Sequence, residues 1–348
     1  MADLKFGVFG AGFWAPFQLA GWQELEGVKC VAICNRTVSK AQEIARRFGI
    51  PSVYGDPEKL LCREKLDFVD IITAPWKHCD LVCRVAAHGL PVICQKPMAS
   101  SLAEAKKMVK ACHDATVPFF IHENWRWQTP IRTLKNVLDS LVIGTPFRAR
   151  VSQVSAFPVF SYEPNLKERE HYTLADMGSH LLDTARVLFG EASILYCQTH
   201  RVHPDIKGED VATVMMLMAG RTTVTVELGY AESPIEQDVF PNTFIFVEGD
   251  KGSVEIGKDY WVRVTTVSGT HARRYPPPRY GWSEPEYLPF HSSIVPCNRN
   301  LLQALRGEGT AETTGEDNLK TIELVFAAYD SARLGRAVPF ERLAEEPR

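Results

Sequence analysis

The sequence predicts an α/β protein: an N-terminal Rossmann domain with a doubly wound parallel sheet, then an α+β domain with an open, mostly antiparallel sheet. Up to about residue 122, short apolar runs such as "LKFGVF" alternate with amphipathic segments such as "SLAEAKKMVKACHD". The first run leads straight into the glycines of "GAGFWA". Beyond that point strand-like runs follow one another with few helices. We therefore expect two domains, 1–122 and 123–348.

Composition excludes several classes of protein. The chain has 348 residues, 45% of them hydrophobic, and a formal net charge of −3, without a basic tail for nucleic acid or an anionic membrane surface. No apolar run is long enough to span a bilayer, and the N-terminus lacks the profile of a signal peptide. The nine cysteines are scattered without a CxxC pair, so we expect neither a disulfide framework nor a metal site. These features predict a cytoplasmic protein.

Local patterns justify individual elements. In "SKAQEIARRFG", Ser39 and Gln42 have the spacing of a capping box, and Gly49 marks the end of the helix. In "TVTVELGY", apolar and polar residues alternate as in a strand with one buried face. The segment "GEDNLKTIELVFAAYDSARLG" predicts a last helix, and "RRYPPPRYGWSEPEY" is too rich in proline for a regular element.

The turn after the first strand has the pattern of a dinucleotide site. Gly10 and Gly12 occupy its first two glycine positions, and Ala15 takes the third, where close packing of helix on strand accepts alanine. The following helix N-terminus offers N–H groups to a phosphate. Phe13 and Trp14 lie within the turn, and we expect both beside the cofactor. The alternative is a turn that merely favours glycine, and the position after a first βαβ strand argues against it.

The end of the second strand, "CNRTVSK", bears on the choice of cofactor. An acidic residue would hold the ribose of NAD there, but Asn35 is neutral, and the cations Arg36 and Lys40 follow. Without a carboxylate to repel it, a 2′-phosphate fits better, so we favour NADP, with use of NAD also plausible. Alternatively, Arg36 is only a solvated surface charge.

Two further features carry chemistry. Lys96 follows the apolar run "VIC", at the carboxyl end of a strand where such sheets bind ligands. In "DMGSH", Asp176 and His180 are four apart, one turn along a helix, with Asp183 three residues further on. A histidine near its ordinary pKa suits a general base, and a carboxylate can orient it. A helix cap and a core histidine would explain the pair equally well, but the glycine turn and Lys96 favour function.

Together these residues identify the chain as similar to the Gfo/Idh/MocA oxidoreductases, relatives of glucose-fructose oxidoreductase and inositol dehydrogenase. The resemblance covers almost the whole chain. It rests on the glycine turn, on "QKP" at the family's EKP site, and on "APWKH", "NWRW" and "DMGSH". It implies a Rossmann domain joined to an α/β domain whose open sheet often associates subunits, and hence a homo-oligomer, dimer or tetramer, formed through the C-terminal sheet.

The resemblance also implies roles for residues. Lys96, Asp176 and His180 are the catalytic set: His180 takes the proton of a sugar or polyol hydroxyl, Asp176 orients it, and Lys96 hydrogen-bonds the oxygen. Expected cofactor contacts are Gly10, Gly12, Phe13, Trp14, Asn35, Arg36, Pro75, His78, Gln95, Lys96 and Asn124. Expected substrate contacts are Lys96, Arg126, Trp127, Tyr172, Asp176 and His180, although aromatic residues at this spacing are more often core.

Other functions remain open from the sequence. Similar proteins use tightly held NAD to drive glycoside hydrolysis or elimination without net redox change, and a catalytically silent regulator would keep the fold. The segments "HENWRWQ" and "GFWA" resemble family members that act on pentoses such as apiose or on sugar acids. Gln95 replaces the family's usual glutamate. Because neighbouring strand residues point to opposite faces, we expect Gln95→Glu to be tolerated and Lys96→Met to lose most turnover.

Overall fold

The structure, a computed structural model, describes residues 3–232 and 243–340. By contacts between Cα atoms the chain divides into two units. The first comprises the described residues of Met1–Asn124 with Arg279–Glu284 and His291–Ile322. The second comprises the described residues of Trp125–Pro278, Pro285–Phe290 and Glu323–Arg348.

The first unit contains a parallel sheet with helices between its strands. Its strands are β1 (Leu4–Phe9), β2 (Val28–Cys34), β3 (Ser52–Tyr54), β4 (Phe68–Ile71), β5 (Val92–Gln95) and β6 (Phe119–His122), in the order β3-β2-β1-β4-β5-β6. The helices between them are α1 (Ala15–Gln23), α2 (Val38–Phe48), α3 (Pro57–Arg63), α4 (Pro75–Ala87) and α5 (Leu102–Asp114). This confirms the predicted Rossmann sheet, in which the strand order reverses next to β1. Only the three-residue β3 had no sequence signal of its own.

Helix α2 departs from its predicted start. Its N-cap is Thr37, and no side chain caps the helix, so the capping box assigned to Ser39 and Gln42 is wrong. The predicted end is right: Gly49 adopts φ 67°, a left-handed conformation that glycine reaches without strain.

The second unit contains a larger, mixed sheet. Its strands are β7 (Pro146–Val154), β8 (Ala192–His200), β9 (Val211–Met218), β10 (Thr223–Gly229), β11 (Phe244–Gly249), β12 (Gly252–Ile256), β13 (Trp261–Thr266), β14 (Gly269–Arg274) and β15 (Val338–Pro339). Over the described residues the order is β14-β13-β12-β11-β7-β10-β9-β8-β15. All neighbours are antiparallel except β7 and β10, so the open, mostly antiparallel sheet is confirmed. As predicted, Val224, Val226 and Leu228 of β10 are buried.

Five further α-helices follow among the described residues, and the parts of them that lie within 291–322 belong to the first unit. They are α6 (Thr129–Asp139), α7 (Val159–Tyr162), α8 (Ser179–Phe189), α9 (Leu288–Leu305) and α10 (Gly315–Leu334). Helix α10 matches the predicted last helix. Helix α9 escaped prediction because Pro296 lies inside it, and proline ordinarily argues against a helix interior.

Candidate active site

Gly10 and Gly12 differ in what a side chain at each position would meet. Gly10 adopts φ +120°, and a Cβ atom there would lie 2.0 Å from the carbonyl oxygen of Ile72. At Gly12 a Cβ atom would meet nothing within 4 Å, so the chain borders open space. Just beyond, α1 begins without a side-chain cap. An uncapped helix N-terminus beside open space, approached by glycine, suits a pyrophosphate, so these residues fit a dinucleotide.

The aromatic residues of the turn differ in exposure. The Phe13 side chain is 61% exposed and packs edge-on against Phe17, with 5.5 Å between ring centroids. Trp14 is half-buried, with its ring 5.9 Å from Phe17 and 5.7 Å from His291. Burial lowers the pKa of His291 to about 4, so its imidazole is neutral near pH 7. Of the two aromatic residues, Phe13 is therefore the more exposed.

At the end of β2 the two predicted cofactor contacts behave differently. The Asn35 Nδ2 atom donates to the carbonyl oxygen of Thr37 at 2.9 Å, so this amide stabilises its own turn. Arg36 and Lys40 are exposed, and in the described part of the chain neither forms an ion pair. Two cations without a carboxylate partner remain available for an anionic group.

His78, an expected cofactor contact, is held by hydrogen bonds to two backbone segments. It is fully buried, with 0% of its surface exposed. Its Nε2 atom lies 3.0 Å from the carbonyl oxygen of Thr73, and its Nδ1 atom lies 3.1 Å from that of Pro97. His78 thus ties the loop after β4 to the loop that carries Lys96. Pro75 is the first residue of α4, where a proline costs no hydrogen bond.

Next to Pro75, the structure exposes a residue that sequence reasoning missed. Trp76 is 65% exposed, which is rare for so large an apolar surface. It directly follows the loop at the carboxyl end of β4, where doubly wound sheets bind ligands. The signal was available in "APWKH", but a tryptophan there could equally have been core.

Lys96 immediately follows β5 and is half-exposed. Its backbone N–H donates to Oε1 of Gln95 at 3.1 Å, and the peptide bond to Pro97 is cis. The strand ends at Gln95, so the side chain of Lys96 is the first beyond the hydrogen-bonded ladder. This is the position the sequence predicted for a lysine that acts on a ligand.

Gln95 belongs to a buried chain of hydrogen bonds. Its Nε2 atom donates to Oε1 of Gln18 and to Nδ1 of His122, the latter at 3.1 Å. Gln18 in turn donates through Nε2 to both oxygens of Asp70, at 2.9 and 2.8 Å. At the other end, Nε2 of His122 lies 2.9 Å from Oδ1 of Asn298. Both ends of the Gln95 amide therefore contact protein groups.

Asp70 is the charged end of this chain. The Trp22 indole N–H also donates to it, at 2.8 Å. Burial raises the pKa of the Asp70 carboxyl from 3.8 to about 7, although the hydrogen bonds from Trp22 and Gln18 oppose that shift. Sequence reasoning missed Asp70, because an aspartate inside the apolar run "FVDIIT" carries no motif.

Asn124, the last predicted cofactor contact, is also buried. Its Nδ2 atom donates to Oγ of Ser293 at 2.8 Å, within the same unit. The side-chain amide thereby fixes the chain just after β6.

In the second unit, Asp176 and His180 do not share a regular α-helix. Asp176 lies in a π-helical turn, Leu174–Gly178, and His180 lies at the start of α8. Because a π-turn holds more residues than an α-turn, the α-helical relation between residues four apart does not apply at Asp176, which corrects the predicted single helix. Such insertions are frequent at functional sites. The Asp176 Oδ1 atom lies 3.9 Å from Nη1 of Arg169.

The imidazole of His180 is held by stacking. Its ring lies on the indole of Trp125, with centroids 4.4 Å apart and planes 23° apart. Trp125 is itself anchored by an N–H···O bond to Oγ1 of Thr243, at 3.0 Å. Both rings are buried, so the imidazole has a defined orientation before any ligand binds.

Arg126 is committed to an ion pair that sequence reasoning missed. Its Nε and Nη2 atoms donate to the two oxygens of Asp183, at 2.8 and 2.5 Å. Arg186 adds a second cation 3.8 Å from the same carboxylate and is itself bonded to Glu191. Asp183, which the sequence assigned to His180, is thus the centre of a buried cluster.

The two remaining predicted substrate contacts are aromatic. Trp127 is half-buried, with the guanidinium of Arg132 over its ring at 4.4 Å. Tyr172 is only 1% exposed, and burial together with the Asp176 charge raises the pKa of its phenol. Within the described residues its hydroxyl has no hydrogen-bond partner.

The described residues include one surface cluster of potential metal ligands. Glu58, Cys62 and His88 bring three potential ligand atoms within 4.8 Å of one another on the surface of the first unit. A hydrogen bond of 2.7 Å between His88 and Glu58 accounts for part of this contact. No described helix is both long and apolar enough to cross a bilayer.

The fold and the glycine turn define a nucleotide-dependent dehydrogenase architecture, and comparison with known proteins is more specific. Residues 4–122 match a family model described as an oxidoreductase family with an NAD-binding Rossmann fold, and residues 131–255 match the GFO/IDH/MocA C-terminal domain. The chain belongs to the Gfo/Idh/MocA oxidoreductases. The predicted family and the predicted class of enzyme are confirmed.

Individual relatives match over nearly their whole length. The chain is 40% identical to D-apiose dehydrogenase of Rhizobium rhizogenes, covering 97% of this chain and 98% of that protein. It is 39% identical to D-apiose dehydrogenase of Paraburkholderia graminis, covering 98% and 91%. A crystal structure of an oxidoreductase from Agrobacterium radiobacter in complex with NAD+, L-tartaric acid and magnesium is 39% identical and superposes with a TM-score of 0.94, covering 97% and 98%.

Proposed function

We propose that this enzyme oxidises a hydroxyl of D-apiose or a similar small sugar or polyol, with a nicotinamide cofactor as the hydride acceptor. One observation carries the proposal: near full-length similarity, at 40% and 39% identity, to two D-apiose dehydrogenases. The chain also keeps Lys96, Asp176 and His180, the three residues that the resemblance assigns to catalysis.

The proposed chemistry divides the hydroxyl between two side chains. His180 accepts the hydroxyl proton, and Asp176 supports the charged imidazole that results. Lys96 donates a hydrogen bond to the oxygen as it becomes a carbonyl. A bound nicotinamide cofactor would supply the acceptor for the hydride from the same carbon. The stacking of His180 on Trp125 supports this assignment, because a general base must be oriented before the proton transfer.

For the cofactor we propose that Arg36 and Lys40 bind the 2′-phosphate, which favours NADP and leaves NAD as an alternative. Their exposure and lack of a described ion-pair partner support this proposal. The related oxidoreductase of known structure is in complex with NAD+, so the relative use of the two cofactors is the quantity to measure.

The test is a panel of D-apiose, other aldoses, polyols, inositols and sugar acids, each with NAD and with NADP. We expect stoichiometric reduction of nicotinamide with D-apiose or a close analogue. Product formation without net reduction would instead indicate the redox-cycling hydrolase or lyase. No turnover of any member would contradict the proposal. His180→Ala, tested beside the wild type, should bind cofactor normally and lose turnover.

We further propose a homo-oligomer, dimer or tetramer, formed through the open sheet of the second unit. On one face of that sheet β8 and β9 expose Ile194, Met215 and Leu217, and β11 exposes Phe246. The strand register places Ile194 opposite Leu217, so these side chains adjoin. Exposed apolar side chains on one face indicate an interface. Sedimentation of the wild type and of Met215→Glu/Leu217→Glu would decide, and a wild-type monomer would contradict the proposal.

We also propose a reducing, cytoplasmic location. All nine cysteines of the chain are free, and six of them are buried. Burial raises the pKa of the Cys34 and Cys112 thiols to about 12, which keeps them protonated and slow to oxidise. Fractionation of the native source would test this, and recovery outside the cytoplasm would contradict it.

A further inference from the structure

The buried hydrogen bonds around Gln95 have one permitted direction. Asp70, when ionised, only accepts, so Gln18 must turn its NH2 group toward it and its oxygen toward Gln95. Gln95 must then present its own NH2 group to Gln18. The backbone N–H of Lys96 requires the same orientation independently, because it can only donate to the Gln95 oxygen.

The direction continues into His122. Since the Gln95 NH2 group faces Nδ1 of His122, that nitrogen accepts, and the proton of a neutral imidazole lies on Nε2. Nε2 then donates to Oδ1 of Asn298. All five side chains are buried, with exposures between 0% and 6%, so a group that loses its partner is not exposed to bulk solvent. We call Asp70, Gln18, Gln95, His122 and Asn298 the amide relay.

We propose that the amide relay accommodates a single carboxylate, that of Asp70, and that Gln95 is a positioning residue. The relay orients the Gln95 side chain, whose oxygen accepts the backbone N–H of Lys96 and so fixes that backbone. The inference rests on the proposed function, in which Lys96 acts on the substrate oxygen. It explains why glutamine occupies the position where the family usually has glutamate: the negative charge lies two side chains away, on β4.

On this proposal Gln95→Glu is not tolerated, in contrast to the expectation drawn from the sequence. A glutamate at position 95 would put carboxylates on both sides of Gln18, whose amide has one oxygen and one NH2 group. Gln18 then cannot satisfy both ionised groups, and one carboxyl must hold a proton. Three other titratable groups lie near these carboxylates. His122 belongs to the relay, and burial together with the charge of Asp70 raises the pKa of the Cys30 and Cys94 thiols.

Moving the carboxylate, in contrast, lets the whole relay reverse. In the double variant Asp70→Asn/Gln95→Glu, the new amide at position 70 would keep its oxygen for Trp22 and donate its NH2 group to Gln18. Gln18 would donate to the new carboxylate at position 95, which would still accept the N–H of Lys96. His122 would move its proton to Nδ1, and its Nε2 atom would accept from Nδ2 of Asn298. That Nδ2 atom is buried and has no partner among the described residues, so it is available.

The test compares wild type, Asp70→Asn, Gln95→Glu and the double variant, by urea unfolding of cofactor-free protein over a range of pH. For Gln95→Glu the folded protein must bind an extra proton, so its free energy of unfolding should fall more steeply than that of the wild type as pH rises through the raised carboxyl pKa. The double variant should lose this extra slope. A double variant as unstable as Gln95→Glu, or a Gln95→Glu protein with the wild-type pH dependence, would overturn the relay.

Kinetics then test the positioning role. With the best sugar of the panel, Gln95→Glu should lower kcat by about tenfold to a hundredfold near neutral pH, since small displacements of a catalytic group cost that much. Substrate KM should change little, and kcat should recover in the double variant. If kcat of Gln95→Glu equals that of the wild type, the positioning role is wrong. Absence of turnover in the wild type would contradict the proposed function, whereas the unfolding experiment would still decide the relay.

Discussion

The guanidinium of Arg126 forms a bidentate ion pair with the carboxylate of Asp183, with 2.8 Å between Nε and Oδ2. Both side chains are almost completely buried, at 4% and 0% exposure. Asp183 lies in α8, one turn beyond His180, and Arg126 directly follows Trp125, on which the His180 ring stacks. The pair therefore joins the two segments that hold the proposed general base.

We predict that Arg126→Ala is strongly destabilising, because it leaves Asp183 buried with much of its compensating charge removed. Breaking such a buried pair costs about 3–5 kcal/mol. The free energy of unfolding, from urea denaturation, is the quantity to measure. The matched control is Arg84→Ala, which removes an exposed ion pair with Asp80 and should leave the unfolding midpoint unchanged. Equal stability of the two variants would show that the buried pair contributes little.

The two glycines of the turn should separate folding from binding. Gly10→Ala places a Cβ atom 2.0 Å from the Ile72 carbonyl oxygen and should destabilise the first unit. Gly12→Ala meets no atom within 4 Å and should fold normally, but its methyl group intrudes on the close approach of the pyrophosphate. Thermal unfolding and cofactor titration of both variants check this. Normal cofactor affinity in Gly12→Ala would place the pyrophosphate elsewhere.

Lys96→Met should lose most turnover while keeping its stability and most of its cofactor affinity, because Lys96 is one of several expected cofactor contacts. The substitution retains the length of the side chain and the backbone N–H that Gln95 accepts, and removes only the cationic donor. Removal of one donor that stabilises the transition state commonly lowers kcat by about a hundredfold or more. Steady-state kinetics and cofactor fluorescence titration provide the two measurements. Turnover near the wild-type level would remove Lys96 from the catalytic set.

The cofactor preference should depend on Arg36. Arg36→Ala removes a cation that has no partner to lose in the described part of the chain, so stability should not change. The ratio of kcat/KM for NADP to that for NAD should fall by about tenfold, which corresponds to one charged contact. Lys29→Ala, which removes an exposed cation near the start of β2, is the control. An unchanged ratio would mean that Arg36 does not contact the 2′-phosphate.

Asp70 should give the wild-type protein a pH-dependent stability. The pKa of this carboxyl is raised from 3.8 to about 7, so the folded state holds its proton more tightly than the unfolded state. Its stabilising contribution is complete below a pH of 3.8 and is lost as pH rises through about 7. Asp70→Asn should remove that part of the slope in urea unfolding. An identical slope in the variant would show that Asp70 keeps an ordinary pKa.

The sequence by itself determined the fold class and most of the Rossmann strands, because both depend on local patterns. Apolar runs bounded by breakers marked five of the six Rossmann strands, and the glycine turn has a geometry that few sequences satisfy. Lys96 was identifiable for the same reason, since its position directly after a strand is a property of the chain alone.

Only the tertiary structure decided what the polar side chains contact. Asp70 and Gln95 lie on different strands and Gln18 on a helix, so no spacing along the chain announces the amide relay that connects them. The π-turn at Asp176, the pairing of Asp183 with Arg126 and the burial of His78 were likewise invisible. The physical reason is common to all of them: a buried polar group must find a partner, and that partner is chosen by packing in space and not by distance in sequence.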